Sequence, residues 1–153
     1  MASPILAGKL EAEIKIKSDP DEFFQSFGGK AHKLPNLCSD KVHGVKVHQG
    51  DWKTKGSVKL WTYAIDGKVE TLKERLTVDE ENKTVTAEAV GGHILEQLKS
   101  YKASLQVIPK GQSNYAKWTI EYENINENEP APTKYLHWLI HAGKDVDASL
   151  VKA

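Results

Sequence analysis

Polar and apolar residues alternate one for one over much of the chain, the period of a β-strand with one face buried. Gly8–Lys17 opens the pattern, with Leu10, Ala12, Ile14 and Ile16 set between charged neighbours. Ser18 or Asp19 then offers a helix cap, Pro20 suits a first turn, and Phe23, Phe24 and Phe27 follow before Gly28-Gly29 ends the segment. A second short helix is predicted from Lys30 to about Leu34, stopped by Pro35. Strand periodicity returns over Val42–His48, Val58–Ile65, Val69–Val78, Thr84–Val90, Tyr101–Ile108 and Tyr115–Glu123. Turn signals such as Asp66-Gly67 and Pro109-Lys110-Gly111 punctuate these strands. After a polar stretch at 124–132 the period becomes helical. Tyr135, Trp138, Leu139, Ala142, Val146 and Leu150 share one side of a helix running from about Pro132 to the C-terminus.

The order is strand, two short helices, six strands, long helix. It predicts an α+β fold in which a seven-stranded antiparallel sheet covers its apolar face with the only large partner available, the long helix. Twenty-odd helical residues at ~1.5 Å each span ~30 Å, enough to cross a small domain. No repeat, low-complexity tract or composition shift interrupts the pattern, so 1–153 reads as a single domain.

Charge removes some partners. Lys plus Arg number 21, Asp plus Glu number 21, and the signs are mixed along the chain. Such a chain lacks the basic field that nucleic acids or an acidic membrane surface draw on. The single cysteine, Cys38, forbids an intrachain disulfide and fits a reducing compartment, where it reads as a small buried hydrophobe. With no signal pattern and no long apolar run, the expectation is a cytoplasmic protein without membrane insertion. Nothing in the sequence sets the oligomeric state. His137 and His141 stand at a metal-binding i, i+4 spacing, but with no HExxH pattern and no nearby third ligand no metal is expected, nor any other cofactor.

Alternation also sorts candidate chemistry by face. Lys59, Trp61 and Tyr63 share one face, and on the next strand Leu72 shares a face with Glu74. Lys59 and Glu74 on neighbouring strands form a structural ion pair, a polar ligand anchor or a proton-transfer pair; burial would raise the Glu pKa and lower the Lys pKa. The alternative leaves Trp61 and Tyr63 as ordinary core and lets Lys59 snorkel outward. Trp118 and Ile120 alternate on the last strand as core or cavity wall. On the long helix, Tyr135, Trp138, Leu139 and Ala142 should form the opposite wall, with the Trp138 indole N–H a donor for a ligand oxygen.

Several stretches carry a resemblance. Gly50-Asp51-Trp52 precedes Gly56-Ser57-Val58-Lys59-Leu60-Trp61-Thr62-Tyr63; Asp66-Gly67-Lys68 leads to Lys73-Glu74-Arg75. Lys117-Trp118-Thr119, Glu121-Tyr122-Glu123 and Asn126-Glu127 follow, then Lys144-Asp145-Val146-Asp147 and Leu150-Val151-Lys152-Ala153. In this order they resemble the plant major latex proteins, part of the birch-pollen-allergen and pathogenesis-related class 10 superfamily, over roughly Gly8 to Ala153.

The resemblance implies a helix-grip fold: a curved sheet around the long helix, two short helices after the first strand, and a central cavity of roughly 300–1,000 Å³ or more. It implies that the cavity takes a hydrophobic or amphipathic small molecule, that Lys59, Trp61 and Tyr63 point inward, that Phe27 adds to the wall, and that His93 sits in a rim loop; His32 is a further candidate. Most relatives look like carriers or sensors. A minority are enzymes of specialised metabolism, so a cyclase or isomerase is the alternative, with Lys59, Tyr63 and Glu74 as its catalytic residues. One departure stands out. The loop from Gly50 to Gly56 keeps only its end glycines, and no Lys-Ser or Lys-Thr follows, so a phosphate-binding role is not expected.

Overall fold

The computed structural model of the chain describes residues 7–52, 54–126 and 129–152. The motif residues Glu127 and Ala153, and the opening MASPIL, lie outside the described residues. Seven strands form one antiparallel sheet: β1 (Ala7–Ile16), β2 (Val42–Gln49), β3 (Val58–Ile65), β4 (Lys68–Asp79), β5 (Thr84–Gly92), β6 (Leu98–Lys110) and β7 (Ser113–Asn124). Their order across the sheet is β1-β7-β6-β5-β4-β3-β2, so β2 to β7 make a meander and β1 closes onto β7. The β3–β4 hairpin turns on Asp66 at φ 51° and Gly67 at φ 75°. A two-residue hairpin needs positive φ at both positions, and Asp-Gly supplies them at low strain. Pro109, expected in a turn, lies within β6; beyond Gln106 that strand no longer pairs with β5, so a missing N–H is tolerated on the open side.

Helix α1 (Pro20–Phe27) is capped by Asp19, whose carboxylate accepts the Glu22 N–H at 3.0 Å. The second helix differs from expectation. A 3₁₀ turn at Ala31–Lys33 runs into α2 (Leu34–Leu37), and Pro35 sits in the first turn of α2 rather than after it. A proline there forfeits only an N–H that has no partner in any helix start. A further four-residue helix, α3 (Ile94–Gln97), links β5 to β6. The long helix α4 covers Thr133–Lys152 and buries Tyr135, Leu136, Ala142, Gly143 and Val146 against the sheet.

Two features seat α4. A Cβ on Gly143 would stand 2.2 Å from the Trp118 ring, so glycine lets the helix rest on that indole. Asp147 accepts hydrogen bonds from the Ser18 N–H at 2.8 Å and the Ser18 hydroxyl at 2.6 Å, while Asp145 pairs with Lys41 ahead of β2. The C-terminal motif thus ties the helix to both edges of the sheet. Phe23 and Phe27 meet the edge of Trp118 at 6.2 and 6.1 Å and fill the α1 end of the core. The expected helix-grip architecture is present. Among the described residues no helix is long and apolar enough to cross a membrane.

Candidate ligand cavity

Between the concave face of the sheet and α4 lies an apolar cavity of about 110 Å³. It is smaller than the expected range because large side chains turn into it, among them Trp61, Tyr63, Tyr101, Trp118 and Trp138. Strand alternation explains the sheet side: Trp61 and Tyr63 come from β3, Leu72 and Glu74 from β4, and Trp118 from β7. Tyr135, Trp138, Leu139 and Ala142 recur along one side of α4, and Phe27 enters from the end of α1. No lysine, arginine or histidine stands among the lining residues.

Three of the residues expected at the cavity lie elsewhere. Lys59 is on the concave face but only 1% exposed; its ammonium leaves the cavity, donates to the Trp52 carbonyl at 3.3 Å and lies 5.7 Å from the centre of the Trp52 ring. The β2–β3 loop folds back over the start of β3 and offers that carbonyl and ring. Burial lowers the Lys59 pKa, opposed by the charge of Asp51. Lys59 and Glu74 are direct cross-strand partners, yet no ion pair joins them. Ile120 is fully buried in close-packed core, away from the hollow. His93 is exposed. Its Nδ1 accepts the Thr71 N–H at 3.0 Å and its backbone N–H donates to the Thr71 carbonyl, pinning the β5–α3 turn to β4. His32 packs edge-on against the Trp52 ring at 5.3 Å, also away from the cavity. His137 and His141 are exposed on α4, and the described residues hold no group of three or more metal-ligating side chains.

Glu74 is half-buried, and what it exposes faces the cavity rather than bulk water. Desolvation pushes its carboxyl up to about 7. Two polar groups were not anticipated: Glu70, behind the wall, and Tyr101, within it. Glu70, 6% exposed, accepts hydrogen bonds at one oxygen from the Tyr63 phenol at 3.0 Å and the Tyr135 phenol at 3.2 Å. Burial first, and the Glu70 charge second, push both phenols well above their ordinary pKa. Tyr101 packs on Tyr135 at 5.9 Å, and burial followed by the charge of Glu74 raises its pKa too. The Trp138 N–H, expected to serve a ligand, instead donates to the Ala64 carbonyl at 2.7 Å, with its ring edge-on to Tyr63 at 5.4 Å. Cys38 lines the cavity as a thiol pushed up to about 11, chiefly by burial, which makes it a poor nucleophile.

Comparison with known proteins places this architecture. Residues 5–153 match the Pathogenesis-related protein Bet v 1 family. MLP-like proteins 28 and 43 of Arabidopsis thaliana are 34% and 36% identical over 95% of this chain; the chain spans 44% of the first and 94% of the second. The crystal structure of ginseng major latex-like protein 151 from Panax ginseng superposes with a TM-score of 0.91 at 40% identity, covering 94% of this chain and 97% of that one. Norcoclaurine synthase from Thalictrum flavum superposes with a TM-score of 0.71 at 20% identity over 94% of this chain and 87% of that one, a likeness of fold alone. With the family match spanning nearly all of the sequence and major latex proteins similar to it in both sequence and structure, this chain belongs to the Bet v 1 family as a major latex-like protein.

Proposed function

We propose that the protein holds a small hydrophobic or amphipathic plant metabolite in the cavity between the sheet and α4, as a carrier, store or defence-related sensor. The apolar cavity itself carries this reading. Protein interiors are close-packed by default, and a residual void costs roughly 24 cal/mol per Å³. On that scale the 110 Å³ hollow costs the empty fold about 2–3 kcal/mol. An apolar guest restores those contacts. Ala142, 1% exposed on the α4 wall, gives the test. Native mass spectrometry of the protein isolated from its own tissue is expected to show a bound small molecule, and Ala142→Phe, which fills the hollow, is expected to lose it while staying folded. An adduct unchanged in Ala142→Phe would place the ligand elsewhere and end this reading.

A cofactor-independent cyclase or isomerase is the second reading, and Glu74 favours it. A carboxyl held near pKa 7 among apolar walls is poised to give or take a proton at neutral pH. Of the three residues expected to be catalytic, Lys59 turns away from the cavity and Tyr63 is engaged by Glu70, which leaves Glu74 facing the guest.

A further inference from the structure

One residue of the cavity wall carries a buried donor without an acceptor. Among the described residues two buried side-chain polar atoms lack a hydrogen-bond partner, Trp61 Nε1 and Asn124 Oδ1, and of these Trp61 lines the cavity. Trp61 is 8% exposed, so no bulk water replaces the missing bond. Across the hollow, the Trp138 N–H goes to Ala64 and the phenols of Tyr63 and Tyr135 go to Glu70. An unpaired buried N–H forfeits the bond it makes with water in the unfolded chain, a standing penalty on the empty cavity.

The neighbours of Trp61 narrow what can relieve that penalty. Its cross-strand partner is Leu72, and Glu74 lies diagonally across on the same face. Diagonal pairs stand roughly 7–8 Å apart, close enough for one polar guest group to sense both side chains. Glu74 makes no hydrogen bond or ion pair among the described residues, and the wall brings no cation to it.

Building on the cavity as the ligand site, we infer that the guest is a neutral, ring-sized apolar molecule that presents a hydrogen-bond acceptor oxygen to the Trp61 N–H. An indole nitrogen donates and does not accept, so a carbonyl, hydroxyl or ether oxygen satisfies it and a hydrocarbon leaves it as it is. A carboxylate guest would bury its charge among apolar walls, beside Glu74, with no cation in the wall to offset it. Size sets the scale of the molecule: a cavity of about 150 Å³ holds a benzene ring, and this one, at about 110 Å³, reaches that with small displacements of its wall. Trp61 Nε1 is itself sealed from the empty hollow, so binding requires that these displacements also bring it into contact with the guest oxygen.

Acetophenone and isopropenylbenzene test the inference, because they share ring and shape and differ only in an oxygen replaced by a methylene. Each is titrated into the whole isotope-labelled protein and followed by the indole N–H resonances, the Trp61 signal being identified by its loss in Trp61→Phe. Acetophenone is expected to bind about tenfold more tightly, the worth of one hydrogen bond, and to move the Trp61 proton downfield. Trp61→Phe is expected to bind both compounds about equally, and benzoate is expected to bind the wild type more weakly than acetophenone. Equal affinity of the two isosteres in the wild type, or a Trp61 proton unmoved by acetophenone, overturns the oxygen inference and leaves the cavity reading intact. Failure of both compounds to bind overturns the two together. Should Trp61→Phe fail to fold, Trp52→Phe, Trp118→Phe and Trp138→Phe identify the Trp61 signal by elimination, and the wild-type comparison decides.

Discussion

Lys59 and Glu74 face each other on adjacent strands, yet side-chain reach separates them. The four-carbon stem of Lys59 carries its ammonium to the Trp52 carbonyl, whereas the shorter Glu74 stays in the hollow. Because the Glu74 pKa rises from about 4.5 to about 7 on folding, the native state keeps a proton that the unfolded chain gives up between those values. The stabilisation from this carboxyl is full below about pH 4.5 and is lost as pH rises to about 7, ~3 kcal/mol in all. Glu74→Gln is expected to remove that slope, measured by urea unfolding of both proteins at about pH 5 and about pH 8. Parallel pH dependence in the two would contradict the assignment. The same variant separates the functional readings: an enzyme loses on the order of a hundredfold in turnover with binding kept, and a carrier keeps its ligand.

At the scale of elements, Glu70 ties the β3–β4 hairpin to α4, since one of its oxygens accepts a phenol from each. Removing either phenol weakens a charged hydrogen bond, a loss of roughly 1.5–3 kcal/mol. Removing both leaves a buried carboxylate with neither donor, so Tyr63→Phe with Tyr135→Phe should cost more than the sum of the single changes. A double-mutant cycle by chemical unfolding measures this, and additivity within about 0.5 kcal/mol would refute the shared network. This network shows where sequence reading stopped. Val69 and Glu70 are adjacent, and residue type alone would bury the valine; in the structure Val69 is 58% exposed and Glu70 is 6% exposed. Phase with Leu72 and Glu74 was the available signal, because residues two apart share a face. The α2 and α3 helices, four residues each, are too short to display a helical period, so the sequence suggests a stop at Pro35 and no element between Val90 and Tyr101.

For the whole molecule, Trp138 is one of the side chains that set the size of the hollow: it is half-buried, lines the cavity and is latched to the Ala64 carbonyl near the end of β3. Truncating a fully packed Trp costs about 3–5 kcal/mol. Trp138 borders empty space on one side, so Trp138→Ala should cost less than that range despite the lost hydrogen bond. The enlarged cavity should then favour two-ring over one-ring guests, for example 2-acetylnaphthalene over acetophenone. Thermal unfolding and titration of this one variant check both halves. A loss within the full range with unchanged guest preference would assign Trp138 to the core rather than to the binding site.

The alternation of β1 and β3, the Asp66-Gly67 hairpin and the apolar stripe of α4 were legible because each depends on residues near one another in the chain. Alternation also placed Trp61 with Tyr63, and Leu72 with Glu74, on shared faces, while which face points inward came from the family resemblance. The family followed from motifs in order, and the structural reasons for some of them, such as Asp147 on Ser18, became visible only in three dimensions. Tertiary structure alone decided the ends of the long side chains. Trp138 meets an acceptor 74 residues away and Tyr135 one 65 residues away. It also decided that the Trp61 N–H meets none. A polar atom's partner depends on which distant backbone and side-chain atoms the fold delivers to within about 3 Å, and no local pattern encodes that distance.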